Sequence, residues 1–140
     1  GMKLHIGVDS QTGLVHSART TAANEHDKHS IPDLLHGDER RVYGDSAYHS
    51  QKALIASKAP HAQDFTNERT RWKGWVDEEA KRKNKTKSKV RAKVEHVFAV
   101  VKRLWGFTKV RYRGLEKSTT RAFVALALAN LYLTRPRTAV

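Results

Sequence analysis

Three residues on one stretch have the types and spacing for phosphate chemistry: Arg91, Glu95 and Lys102 in VRAKVEHVFAVVKRLWGF. Apolar residues at 90, 94, 97, 101 and 104 recur in steps of four and three, which predicts an amphipathic helix with one buried stripe. Glu95 rides beside that stripe. Arg91 lies one turn before it and Lys102 two turns after, so the three span roughly 16 Å of one helix side at 1.5 Å per residue. An acid between two bases on a rigid helix can hold a metal ion while the bases hold phosphate. An ordinary surface pair of Arg91 and Glu95, stabilising the helix by about 0.2–0.5 kcal/mol, would explain the same spacing.

A second carboxylate separates those two readings. Phosphoryl transfer between two hard cations, about 3.5–4 Å apart, needs carboxylates converging from different elements. Upstream, RRVYGDSAYHS reads as a strand from Arg41 to Gly44 ending at Asp45, then a turn and a helix opened by Ser50 as N-cap. A carboxylate at the carboxyl end of a strand faces the crevice where open α/β sheets place their ligands.

The remaining elements must position these two. Leu4, Ile6 and Val8 alternate, and DSQTG turns the chain into Leu14 to Thr20, a hairpin in which Asp9 is turn-forming. Ser30 with Pro32 and Asp33 signals a short helix before Leu34 and Leu35. Pro60 to Gly74 has no clear pattern beyond FTNER as a candidate short strand. STTRAFVALALANLYLTRP predicts a last helix, capped by Ser118 or Thr119 and ending near Pro136. Its apolar run from Ala122 to Leu133 is broken by Asn130 and is too short for a membrane span, which needs about twenty residues, so it reads as a helix buried on most sides. The expected class is α/β with C-terminal helices, and 140 residues bound the chain to one domain. Cysteine is absent, which removes disulfides and thiolate metal sites and suits a reducing cytoplasm.

Charge is concentrated. Residues 1–70 hold 8 Lys and Arg against 9 Asp and Glu, a net −1, whereas residues 71–140 hold 19 against 5, a net +14. The densest run is KRKNKTKSKVRAK, with Lys81, Arg82, Lys83, Lys85, Lys87, Lys89, Arg91 and Lys93; Arg103 follows in the glutamate helix. Such a run reads as a mobile basic connector over residues 77–89, poorly ordered or loosely helical before DNA binds, and beside a metal-binding carboxylate it supplies the counterion-releasing contacts that dominate affinity for DNA. Trp105 on the helix seam is expected to pack, while Tyr112 in VRYRG is open to packing or base stacking. His26, Asp27 and His29 have the types for a two-histidine, one-carboxylate site, but short-loop spacing of this kind is more often polar surface.

The order of GMKLHIGVDSQTGLVHSARTTAANEHD, YGDSAYHS, RAKVEHVFAVVKRLWGF and VRYRGLEKSTTRAFVALALANLYL resembles the C-terminal catalytic part of bacterial insertion-sequence transposases of the DDE type. The resemblance implies a ribonuclease-H-like fold and an active site of two aspartates and a glutamate that bind Mg²⁺ or Mn²⁺ for cleavage and strand transfer at transposon ends. By position, Asp45 and Glu95 match the second aspartate and the glutamate, as catalytic residues and metal ligands. Tyr48, Arg91 and Lys102 match the supporting tyrosine and the flanking bases, whereas the family's usual tyrosine three residues before the arginine is Ser88 here. His26 and Asp27 match a recurrent pair for which a structural role is expected, Asp27 capping the next helix or bracing the sheet end. The first aspartate would lie on a strand before residue 1, so the expectation is an incomplete ribonuclease-H-like sheet, inactive alone. The implied partners are DNA, as transposon ends and target, and further copies of the chain when active, in the cytoplasm at the nucleoid and with no membrane. The competing class is a non-catalytic basic nucleic-acid-binding module, and a general basic factor of the ribosomal kind would leave Asp45 and Glu95 unexplained.

Overall fold

The computed structural model describes residues 1–136. The chain is mixed α/β, with β1 (Met2–Val8), β2 (Val15–Ala22), α1 (Ile31–Leu34), β3 (Arg41–Val42), α2 (Lys52–Lys58), β4 (Gln63–Asp64), β5 (Arg71–Trp72), β6 (Trp75–Val76), α3 (Glu78–Trp105) and α4 (Leu115–Thr134). Where length alone bounds the chain to one domain, the packing falls into two compact units: Gly1–Asn24 with Lys93–Val140, and Glu25–Ala92.

In the first unit β1 and β2 pair antiparallel, from Met2 opposite Ala22 to Gly7 opposite Ser17, with an irregularity before Val8 meets Val15. The turn between them is the one expected. Asp9 Oδ1 accepts hydrogen bonds from the N–H groups of Gln11 and Thr12 at 2.8 and 2.6 Å, closing an Asx-type turn. Lys93 adds a clamp, its Nζ donating to the carbonyls of Ser10 and of Gln11, the latter at 2.9 Å. The core joins Ile6 to Val97, Val100 and Val101 of α3 and to Ala125, Leu126 and Ala129 of α4. The predicted stripe therefore forms, but its end is displaced: Leu104 is 50% exposed and Val100 is buried in its place. Trp105 packs as expected, edge-on to Tyr132 at 6.1 Å between ring centroids, while Tyr112 is exposed.

The last helix departs from its expected start and from burial on most sides. It begins at Leu115 after Gly114, whose φ of 91° is open to glycine, so neither Ser118 nor Thr119 caps it. Their hydroxyls bond back to the carbonyls of Gly114 and Leu115 at 3.0 and 2.7 Å. Ser118, Ala122, Ala125 and Ala129, all small, form its buried stripe together with Leu126, while Phe123, Val124 and Leu131 are exposed. Asn130 is not a mere interruption: its Oδ1 accepts from Val15 N–H at 2.9 Å and its Nδ2 donates to Val15 O at 2.8 Å, fixing the start of β2 on the helix. Among the described residues no helix is long and apolar enough to cross a membrane.

The second unit is built on a parallel pair, β3 with β4. Behind it Tyr43 and Phe65 stack with centroids 5.2 Å apart, and Ile55 of α2 is fully buried. Ser30 stands at the N-cap position of α1 as expected, with Pro32 in the first turn, but its hydroxyl makes no capping bond. A second hairpin, β5 with β6, turns through Lys73 and Gly74 at φ 39° and 88°, the doubly left-handed conformation of a tight hairpin turn. Residues 77–89, expected as a connector, are helical from Glu78 onward. Asp77 Oδ1 accepts from the N–H groups of Glu79 and Ala80, both at 3.0 Å, and so caps α3. The pair Lys83–Glu79 at 2.7 Å reinforces its first turns.

Two stability outcomes are expected in the first unit. Asn130→Leu leaves both polar groups of Val15 without their side-chain partner and should destabilise by about 1–3 kcal/mol in urea denaturation. Hydrogen bonds from the Thr12 and Gln11 backbone hold the Asp9 carboxyl below its ordinary value of 3.8. Its contribution is therefore present above that value and lost as the pH falls through the lower folded-state value. The stability gap between wild type and Asp9→Ala, below about 1 kcal/mol at neutral pH because solvent screens so exposed a carboxylate, should close in acid; a gap independent of pH would refute this role.

Candidate metal and nucleic-acid site

Asp45 stands where the strand of the second unit runs out, although the regular part of that strand is shorter than predicted, Arg41–Val42 rather than Arg41 to Gly44. The parallel bonding nevertheless continues. Phe65 N–H donates to Val42 O at 2.8 Å and Asn67 N–H to Gly44 O at 2.9 Å, so FTNER extends the partner strand as its sequence hinted. Gly44 is the close-approach point: a Cβ there would lie 3.1 Å from Thr66 Cγ2 and 3.2 Å from Tyr48 Cδ2.

The helix after Asp45 starts earlier than Ser50. Asp45 is itself the N-cap of a 3-10 helix, Ser46–Gln51, its Oδ1 accepting from Ser46 N–H at 2.6 Å, and α2 follows with Gln51 rather than Ser50 at its cap position. An aspartate at that point both ends the strand and satisfies the helix start. Tyr48, one turn on, is held through its N–H to Asp45 O at 2.9 Å. Its phenol is pushed above its ordinary 10.0 by burial first, then by the nearby charges of Asp27 and Asp45. Asp27 does not cap its own 3-10 helix, Asp27–Ser30; His26 does, accepting from Lys28 N–H at 3.3 Å. The His26 and His29 rings meet edge to face at 6.4 Å. Among the described residues no three His, Cys, Asp or Glu side chains stand together as a metal-binding group.

Asp45 lines a cleft of about 310 Å³ with Ser46, Asn67, Glu68, Arg69, Thr70, Arg71 and Asn84. Asn67, Arg69 and Arg71 are not among the sequence-based candidates, because their approach to Asp45 depends on parallel pairing that no local pattern announces. The first half of α3 braces this strand end from one face. Asn84 brackets the Glu68 backbone, accepting from its N–H at 2.9 Å and donating to its carbonyl at 2.8 Å. Lys87 Nζ donates to Thr66 O at 3.0 Å and lies 3.7 Å from the Glu68 carboxylate. Ser88 Oγ accepts from Asn67 Nδ2 at 3.2 Å.

These contacts sort the candidate DNA-binding residues. Lys87 has a side chain only 16% exposed and is committed to the strand end, and Lys93 is committed to the hairpin turn of its own unit. Lys81, Arg82, Lys83, Lys85 and Lys89 are exposed on α3, Lys81 and Lys83 beside Glu78 and Glu79. Glu95, Lys102 and Arg103 are exposed on the same helix and Arg91 is half-buried, so the predicted placement of Arg91, Glu95 and Lys102 on one helix holds. Asp45 belongs to the Glu25–Ala92 unit and Glu95 to the other.

The family model of the transposase DDE domain matches residues 1–131, and the chain belongs to that family. No solved structure gives a significant match. Membership assigns the chain to DNA transposition in general and makes DNA the substrate its family acts on.

Asp45→Asn should lower the Tyr48 pKa toward 10 without reaching it, since burial is the larger cause and persists. Carbon-13 detection of the tyrosine ring against pH reads this directly; an unmoved Tyr48 would mean that the Asp45 charge does not reach the phenol.

Proposed function

We propose that this chain carries catalytic residues of a DNA transposase that cleaves and joins phosphodiesters at transposon ends, with Asp45 and Glu95 as carboxylate ligands for divalent metal. The observation that carries the reading is the family match together with Asp45 at a strand end, on a cleft that also presents Arg69 and Arg71. A ribonuclease-H-like core is part of the proposal and rests on the family match alone, because the described strands form three separate two-stranded sheets rather than one.

The donor chemistry suits a hard cation. Asp45 offers a carboxylate, and Asn67 of the same cleft has an amide oxygen that finds no hydrogen-bond partner among the described residues. A bound Mg²⁺ or Mn²⁺ would supply charge neutralisation at the phosphate. The chain's own residues do the rest. Arg69 and Arg71 hold the substrate backbone at the cleft, and Tyr48 supports the Asp45 turn. Arg91 and Lys102 flank Glu95 on α3, where they orient a phosphate group beside the carboxylate. The exposed bases of α3 give the electrostatic part of DNA affinity. Assembly of more than one copy belongs to the same reading, because transposition brings two ends together.

Two measurements test it. In a transposition-competent enzyme containing this chain, Asp45→Ala and Glu95→Ala should each abolish strand cleavage while leaving DNA binding largely intact, since removing a carboxylate cannot weaken attraction for phosphate. Cleavage surviving either change would sink the assignment. With roughly five exposed bases engaged, log K for duplex DNA should fall with a slope of about −4 to −5 against log salt, roughly a 500-fold loss between 50 and 200 mM. Replacing Arg82, Lys85 or Lys89 on the free face of α3 by Ala should make that slope shallower, whereas Lys87→Ala should act on stability instead.

A further inference from the structure

We propose that Asn67 is an additional ligand of the cation held by Asp45, contributing its amide oxygen, with Ser88 as the positioning residue that aims it. The inference rests on the reading of Asp45 as a metal ligand and adds a group that the aspartate and glutamate pattern does not contain.

Register supplies the first argument. Arg41 pairs with Gln63 and Val42 with Asp64, and the parallel bonding runs on through Asn67 N–H to Gly44 O at 2.9 Å. The same offset sets Asp45 opposite Asn67, and opposite residues of neighbouring strands project to one face of the sheet. Both indeed line the same cleft.

The second argument is the state of the amide. Asn67 is 9% exposed, and its Nδ2 donates to Ser88 Oγ at 3.2 Å. Among the described residues its Oδ1, closed to solvent, accepts no hydrogen bond. A buried carbonyl oxygen left without a donor is unfavourable, so its retention beside a carboxylate calls for a partner. A hard cation is the partner that both groups accept, since such ions take carboxylate and amide oxygens together. The amide adds a ligand without adding negative charge, so the cation keeps more of its charge for phosphate.

Ser88 then acquires a reason. It stands where the resembled pattern has tyrosine, and a small hydroxyl at that position of α3 is what reaches Asn67 from one turn beyond Asn84. The hydroxyl tethers the amino end of the amide and so fixes the side chain that carries the oxygen.

The test uses Mn²⁺ as probe with the full chain, free ion being counted by electron paramagnetic resonance. Asn67→Leu should weaken Mn²⁺ binding about tenfold or more, Ser88→Ala by about tenfold, and Asn67→Asp, which restores oxygen and adds charge, should tighten it. Should Asn67→Leu fail to fold by circular dichroism, the isosteric Asn67→Asp carries the test alone. Wild-type affinity in both Asn67 variants, with loss in Asp45→Ala, overturns this inference and leaves Asp45 as the ligand. Unchanged affinity in Asp45→Ala, or a wild-type chain that leaves all Mn²⁺ free, overturns the reading of Asp45 and the inference with it.

Discussion

The hydrogen bond from Asn67 N–H to the Gly44 carbonyl is the contact on which the candidate site depends. Two-residue strands have little cooperativity of their own, and a lone pair of short strands is marginal in water. Here the ladder runs past its regular part and ends where Asp45 must begin a helix. Strand termination, helix capping and display of the carboxylate are then a single event at one residue. Gly44 makes it possible, because any side chain there would press on Thr66 and Tyr48.

Such a strand end needs bracing, and the brace comes from the most basic segment of the chain. Asn84, Lys87 and Ser88 lie three and four residues apart on α3, so they share one helical face and reach the backbone or side chains of residues 66–68. The run of lysines is therefore not uniform. One face of the helix supplies hydrogen bonds to the fold, and the other keeps its cations in water. Charge density by itself hides this division, since Lys87 and Lys85 are identical in composition and opposite in use.

Locally encoded features are legible in the sequence. The hairpin turn at Asp9, the valine stripe of α3, the packing of Trp105 and the place of Asp45 at the end of a strand all follow from patterns within a few residues. What the sequence hides has a common cause in contacts distant along the chain. β4 is two polar residues, Gln63 and Asp64, and exists through parallel pairing with β3. Like-charge repulsion alone makes the basic run a connector, yet the cap at Asp77 and acids at 78 and 79 start a helix that tertiary bonds then hold. The stripe of α4 is concealed because mostly small residues bury its seam while Phe123, Val124 and Leu131 face outward. Likewise nothing local in FTNER ties Asn67 to Asp45; only the register does.

The two carboxylates are also fixed by different physics, which bears on how substitutions act. Asp45 takes its aim from backbone hydrogen bonds at a strand end, reinforced by polar side chains of α3. Glu95 is exposed on a helix whose orientation in its own unit is set by burial of Val97, Val100 and Val101 against Ile6 and the small residues of α4. Apolar packing is non-directional and tolerates conservative exchange of volume, whereas a hydrogen-bonded strand end is lost with its donors. Changes among the valines should thus be graded by size in their effect on Glu95, while loss of Asn84 or Ser88 should act on the Asp45 side abruptly. Placing one carboxylate on each kind of support leaves the strand-end carboxylate rigidly defined and the helix-borne one adjustable by small shifts of packing.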